Sequence, residues 1–148
     1  MLLACSKQPA TEQEQLEKDA AQGNARAQFN LASAYLNGKG GVIDVAKAAE
    51  WFEKAAAQGD AEAQVYLGVL YANGKGVPKD DAKAVEWWEK AAAQGNAGAQ
   101  LYLGVMYANG KGVVPKDEAK AVEWWKKAAA QGNADAQQYL DAIKKGKQ

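Results

Sequence analysis

Few side chains in this sequence could carry covalent or acid–base chemistry. None of its 148 residues is histidine, which removes the commonest general base and metal ligand. Ser6, Thr11 and Ser33 are the aliphatic hydroxyls, and none stands in a motif that would activate it. Gly68, Gly74-Lys75 and Gly76 look like a phosphate cradle. However, Gly68 and Gly74 are one residue too far apart, and Gly76 occupies the place of the required serine or threonine. A helix end followed by a turn accounts for these glycines. The carboxylate pairs Asp80-Asp81 and Asp117-Glu118 read as an N-cap followed by an acidic first turn. The expectation is a chain with no catalytic residue, no metal site and no cofactor.

The elements that position these residues recur. Ala61 to Asn96 is preceded by a copy from Ala25 to Asp60 and followed by one from Ala97 to Asn133, the last with an extra valine at Val113-Val114. A period of 36 to 37 residues defines a repeat array. Within the unit the pattern predicts one helix over about Ala61 to Ala72, N-capped by Asp60 and ended by Asn73-Gly74. A second helix is predicted over about Asp81 to Gln94, with Pro78 holding Val77 extended, Asp80 as N-cap and Gly95 as stop. Ala84, Trp87, Trp88, Ala91 and Ala92 form its apolar stripe, and Lys83, Glu86, Glu89, Lys90 and Gln94 face water. Glu86/Lys90, Glu50/Lys54 and Glu123/Lys127 are spaced as i,i+4 ion pairs, each contributing a few tenths of a kcal/mol. The first helix has only Glu62 and Gln64 as polar residues. A helix apolar nearly all round packs on two sides or offers a surface to a partner.

Spaced as they are, Ala63, Leu67, Gly68, Tyr71, Gly74, Gly76, Asp80, Ala84, Trp87, Ala91, Ala92 and Gly95 resemble the Sel1-like repeat, a longer relative of the tetratricopeptide repeat. With half-repeats at the ends, the resemblance covers about residues 12 to 145. Repeat one departs in Ala32, which replaces the small glycine, and in Gly41-Val42-Ile43, which replaces Val77-Pro78-Lys79 and implies a differently shaped loop. Sel1-like proteins include some described as acting on penicillins, but Ser33 is followed by Ala34-Tyr35-Leu36, so the S-x-x-K pattern is absent.

The ends read as caps. Glu14 to Asn24 aligns with Glu86 to Asn96 as a lone second helix, with Gln15 at the Trp87 position and Asp19 at the Ala91 position. Ala134 to Lys145 is a lone first helix, with Asp141 at the Gly68 position and Lys144 at the Tyr71 position. Both are polar where a neighbouring repeat would otherwise have covered them. The expected architecture is an all-α solenoid of antiparallel helix pairs. It comprises a tether over residues 1–10, a capping helix over 11–24, repeats over 25–60, 61–96 and 97–133, and a capping helix and tail over 134–148.

Lysine plus arginine equals aspartate plus glutamate at 18 each, with no basic cluster, which argues against nucleic acid and acidic membrane surfaces as partners. No apolar run approaches the ~20 residues of a spanning helix. Leu2-Leu3-Ala4-Cys5 resembles a bacterial lipobox followed by a polar tether from Ser6 to Thr11. This reading requires Met1 to be a truncated or misassigned start, because the charged start and apolar run of a signal peptide do not precede it. Cys5 is the single cysteine and the expected lipidation site, giving a periplasm-facing envelope lipoprotein. An ordinary cysteine on a frayed end, in a cytoplasmic protein, is the alternative.

Recurring aromatics, Trp51-Phe52, Trp87-Trp88 and Trp124-Trp125 with Tyr35, Tyr71 and Tyr107, are expected to pack the core. The Sel1-like resemblance implies that first helices line a concave face, with Phe29, Val65 and Leu101 pointing into it. Ser33, Val69 and Val105 would follow one turn later, and Asn37, Asn73 and Asn109 would stand at the rim. Such a groove suits a peptide or protein segment whose side chains fill the apolar sites while the asparagines bond its backbone. The function expected is therefore that of a monomeric, non-enzymatic adaptor. The alternative is an envelope protein that binds or hydrolyses peptidoglycan or a β-lactam, and a purely structural spacer is the third possibility.

Overall fold

The computed structural model describes residues 9–111 and 114–147. Among the described residues the chain forms eight α-helices and no strand. They are α1 (Glu12–Ala21), α2 (Ala25–Asn37), α3 (Val45–Ala57), α4 (Ala61–Asn73), α5 (Asp81–Ala93), α6 (Ala97–Asn109), α7 (Glu118–Ala130) and α8 (Ala134–Gly146). Each helix packs chiefly on its neighbours in sequence, so the architecture is an all-α helical solenoid.

Local chemistry sets the helix ends. Thr11, Asn24, Asp44, Asp60, Asp80, Asn96, Asp117 and Asn133 each accept a hydrogen bond through the side chain from the amide three residues on. Such caps contribute about 1 kcal/mol apiece. Helices α2, α4 and α6 end at Gly38, Gly74 and Gly110 in the left-handed conformation, which spares them a Cβ clash. A backbone bond then closes each inter-helix loop: Asp44 N–H donates to Tyr35 C=O, Asp80 to Tyr71 and Asp117 to Tyr107, at 3.0, 2.9 and 2.8 Å. The loop of repeat one is distinct, with Gly40 and Gly41 also at positive φ and Val42 and Ile43 exposed. Of the valines in the third loop, Val113 lies outside the described residues and Val114 is buried in the core.

Packing between the helices of a pair depends on one small residue. Trp88 is 3% exposed, and its indole N–H donates to Val65 C=O at 3.1 Å. Trp125 does the same to Leu101 at 3.2 Å. A Cβ at Gly68 or Gly104 would stand 2.8 Å from Cε2 of the respective indole, an overlap that real packing does not tolerate. Repeat one carries Ala32 at the glycine position and Phe52 at the tryptophan position, both fully buried. The added methyl is thus matched by a smaller ring.

The second helices differ in two ways from the expected faces. Val85, outside the expected stripe, is only 2% exposed, while Trp87 is half-buried. The lysines of the expected i,i+4 ion pairs turn to the tryptophan three residues back. Lys54, Lys90 and Lys127 lie 4.3, 4.5 and 4.6 Å from the ring centroids of Trp51, Trp87 and Trp124. None is in an ion pair with Glu50, Glu86 or Glu123 among the described residues. The aromatic face offers the ammonium a partially desolvated partner, whereas the glutamates stay in water.

A buried glutamine ladder runs between the repeats. Gln28, Gln64 and Gln100 are about 5% exposed. The first two donate to the carbonyls of Ala20 and Ala56, both at 3.1 Å, tying each first helix to the helix before it. Gln58, Gln94 and Gln131, from the ends of α3, α5 and α7, donate to the side-chain oxygens of Gln28, Gln64 and Gln100 at 2.7, 3.1 and 2.9 Å. No buried side-chain polar atom among the described residues lacks a partner.

Candidate partner-binding face

Helices α2, α4, α6 and α8 are the first helices of the repeats and of the C-terminal cap, and they carry equivalent residues at equivalent positions. The fifth residue of each is Phe29, Val65, Leu101 and Gln138, and the sixth is Asn30, Tyr66, Tyr102 and Tyr139. The tyrosines are held by the preceding second helix through stacked rings. Tyr66 lies on Phe52 at 5.3 Å, Tyr102 on Trp88 at 4.9 Å and Tyr139 on Trp125 at 4.8 Å. Tyr66 and Tyr139 remain 44% exposed. The same aromatics that fill the core therefore fix tyrosines at its surface, a role that sequence reading missed. The signal was present, because Tyr66, Tyr102 and Tyr139 recur at the repeat period.

The residues expected to line a single groove are distributed along these helices. Phe29 is not available to a partner. It is 8% exposed, packs edge-on against Phe52 and Tyr66 at 5.6 and 5.7 Å, and is covered by the guanidinium of Arg26 at 4.1 Å. As the largest residue in its row, it is buried more fully than Val65, which packs half-buried against the same core. Ser33 and Asn37 line a hollow of about 860 Å³ between α1 and α2, together with Leu16 and Asn30. Leu101 and Val105 line a second hollow of about 560 Å³ between α6 and α8, with Tyr102, Gln138 and Tyr139. Val65 and Val69 lie between the two hollows, half-buried against the core. Asn73 and Asn109 are exposed at the C-terminal ends of α4 and α6. Cys5 lies outside the described residues.

The electrostatics of the face centre on Arg26. Its Nη1 is 3.1 Å from Asp60 and its Nη2 2.8 Å from Glu62, bridging α2 to the start of α4. The hydrogen bond to Glu62, more than the nearby negative charges, raises its pKa still further. Among the described residues no group of three or more potential metal ligands stands together, and no helix is long and apolar enough to cross a membrane.

No curated protein matches the chain. The crystal structure of c5321, a protective antigen present in uropathogenic Escherichia coli strains and displaying an SLR fold, superposes with a TM-score of 0.86 at 43% identity. The match covers 93% of this chain but only 29% of the E. coli protein. A Sel1 repeat protein from Oxalobacter formigenes matches at 43% identity with a TM-score of 0.78, covering 86% of this chain and 96% of that one. Cysteine rich protein B of Helicobacter pylori matches at 29% identity and 0.65, covering 87% and 97% respectively. The Sel1 repeat model itself matches three times, over residues 25–60, 61–96 and 97–133, and the chain belongs to the Sel1 repeat family.

Proposed function

We propose that this chain is a protein-interaction scaffold that holds a segment of a protein partner along its first-helix face. Sel1 repeat proteins are generally protein–protein interaction scaffolds. The observation that carries the reading here is the hollow between α6 and α8, where half-buried Leu101 and Val105 form an apolar wall beside the exposed ring of Tyr139. Second helices present charged outer faces that need no partner, whereas this face exposes aromatic and aliphatic surface next to hydrogen-bonding amides. Val65→Glu and Leu101→Glu should abolish capture of a protein partner from cell extract, because each places an unpaired carboxylate in the contact. Glu86→Lys with Glu123→Lys, on the outer face, should leave capture intact. Circular dichroism and thermal melting of all variants accompany the pull-down. Loss of capture only in the outer-face variants would place binding on the opposite surface, and unfolding of the glutamate variants would make those positions core.

The second part of the proposal is that the scaffold is tethered to the bacterial envelope by lipid on Cys5. Its support is the lipobox-like Leu2-Leu3-Ala4-Cys5 and the uniqueness of that cysteine. Expression with the full upstream sequence should give labelled fatty-acid incorporation and membrane partitioning that Cys5→Ser loses. Equal partitioning of both would leave Cys5 an ordinary residue.

A further inference from the structure

Inside the array every second helix lies between two first helices: α3 packs on α2 and α4, α5 on α4 and α6, and α7 on α6 and α8. The two ends break this rule in opposite ways. Helix α1 is a second helix packed chiefly on α2, and α8 is a first helix packed chiefly on α7. The hollow of about 860 Å³ beside α1 lies where a preceding first helix would stand, walled by Leu16 of α1 and by Asn30, Ser33 and Asn37 of α2. Leu16 takes the place of Trp88 and Asn30 that of Tyr102, so no stacked pair of rings closes this space.

The glutamine ladder shows what each end lacks. The glutamine that ends a second helix donates to the glutamine of the first helix before it and to the glycine carbonyl two residues ahead of that helix. Gln94 thus bonds Gln64 and Gly59, and Gln131 bonds Gln100 and Gly95. In α8 the matching acceptors are Gln137 and Gly132, and no second helix follows to reach them. Gln137 is accordingly exposed, unlike the buried Gln28, Gln64 and Gln100, and its amide turns to Asp141 at 3.0 Å. Gln22, exposed at the end of α1, is the matching donor. Charge and size agree with this register. Within repeat two the second-helix Lys83 lies 5.2 Å above the first-helix Tyr71. At the ends the cation changes sides, since Lys144 takes the tyrosine place on α8 while Thr11 and Glu12 take those of Lys83 and Ala84. Asp141 is larger than the Gly68 it replaces and Leu16 smaller than Trp88, the same trade that repeat one makes with Ala32 and Phe52.

We propose that the chain associates head to tail with further copies of itself: α8 of one copy seats in the hollow beside α1 of the next and completes a helix pair. Gln22 then donates to Gln137 and Gly132 of the neighbouring copy, and Lys144 meets Glu12. Asp19 and Asp141 also fall in this contact and lose water there, so the joint is weak and the assembly grows only with concentration. Each added copy leaves one α1 and one α8 open, so growth does not stop at a dimer. This replaces the monomer expected from the polar ends. It assigns the hollow lined by Ser33 and Asn37 to a second copy and leaves the hollow between α6 and α8 to the protein partner.

Sedimentation equilibrium of the full chain, from about 10 μM to about 1 mM, tests the assembly. The weight-average mass should rise with concentration as an open-ended series rather than level off at the dimer. Lys144→Glu and Glu12→Lys, both at exposed positions, each set like charges against one another in the joint and should each weaken association at least about threefold. An equimolar mixture of the two variants should recover it, because opposite charges meet again wherever the two kinds of copy alternate. That recovery is peculiar to a contact between α8 of one copy and α1 of another. A mass that stays monomeric over the whole range overturns the proposal. So does a plateau at the dimer, which would mark a symmetric contact through another face, and so does a mixture that associates no more than its components.

Discussion

Repeat one and repeat two are built on the same helical frame but solve the same packing problem with different pairs of residues. Repeat two sets a tryptophan against a glycine, Trp88 on Gly68, and repeat one sets a phenylalanine against an alanine, Phe52 on Ala32. The indole of Trp88 reaches Val65 C=O, a bond that Phe52 cannot make, yet both rings hold up a tyrosine of the following repeat. The lesson is that the conserved quantity between the helices of a pair is filled volume rather than residue identity. The outward tyrosine follows from whichever ring fills it. Repeats one and three differ at the surface: Arg26 covers Phe29 in repeat one, whereas repeat three carries Gly98 and Leu101 at the corresponding positions.

The largest break in this comparison is Trp88→Ala. Removing a ring that is 3% exposed, stacked on Tyr102 and bonded to Val65 should cost about 3 to 5 kcal/mol, read as a shift in the denaturation midpoint. Lys83→Ala on the same helix removes only a lysine 5.2 Å above the Tyr71 ring and should cost under about 1 kcal/mol. A larger effect from the lysine would reverse the assignment of the helix faces.

Next in size is Gly68→Ala, which should cost about 1 to 3 kcal/mol because the new methyl meets the indole. The comparison is sharpened by the double variant Gly68→Ala with Trp88→Phe, which recreates the pair of repeat one. If filled volume is what matters, the double variant should be more stable than the sum of the two single effects by at least about 0.5 kcal/mol. Strict additivity in the cycle would mean that the two residues are not coupled and that Ala32 with Phe52 is coincidence.

Features governed by a few consecutive residues were legible in the sequence. The helix starts at Asp60, Asp80 and Asn96 and the stop at Gly74 follow from side chains bonding their own turn. Legibility failed where partners stand thirty or more residues apart. The bonds from Gln58 to Gln28 and from Arg26 to Glu62 join positions that only the stacking of repeats brings together. The glutamines left a trace, since one polar residue recurs at the same place in otherwise apolar helices, but its meaning required the neighbouring repeat. The burial of Phe29 escaped for a related reason: its row is only half-buried where the residue is valine, and the longer ring of Phe29 joins the core beneath the guanidinium of Arg26.

The smallest effect separates two accounts of the outer face. Sequence spacing pairs Lys90 with Glu86, whereas the structure sets its ammonium 4.5 Å from the Trp87 centroid, and the other two repeats place Lys54 and Lys127 in the same way. If the ring is the partner, Lys90→Ala should cost about 0.5 kcal/mol and Glu86→Ala close to nothing. A cation over a quadrupole is also less tied to the charge of the glutamate, so the cost of Lys90→Ala should persist in the Glu86→Ala background. Substituting leucine for lysine keeps the stem on the ring but removes the charge, and comparing it with alanine separates packing from the cation–π attraction. Denaturation of the single and double variants decides between the accounts. A cost of Lys90→Ala that vanishes once Glu86 is gone would restore the i,i+4 ion pair, while one that survives assigns the lysine to Trp87 and leaves the glutamates as solvated charge.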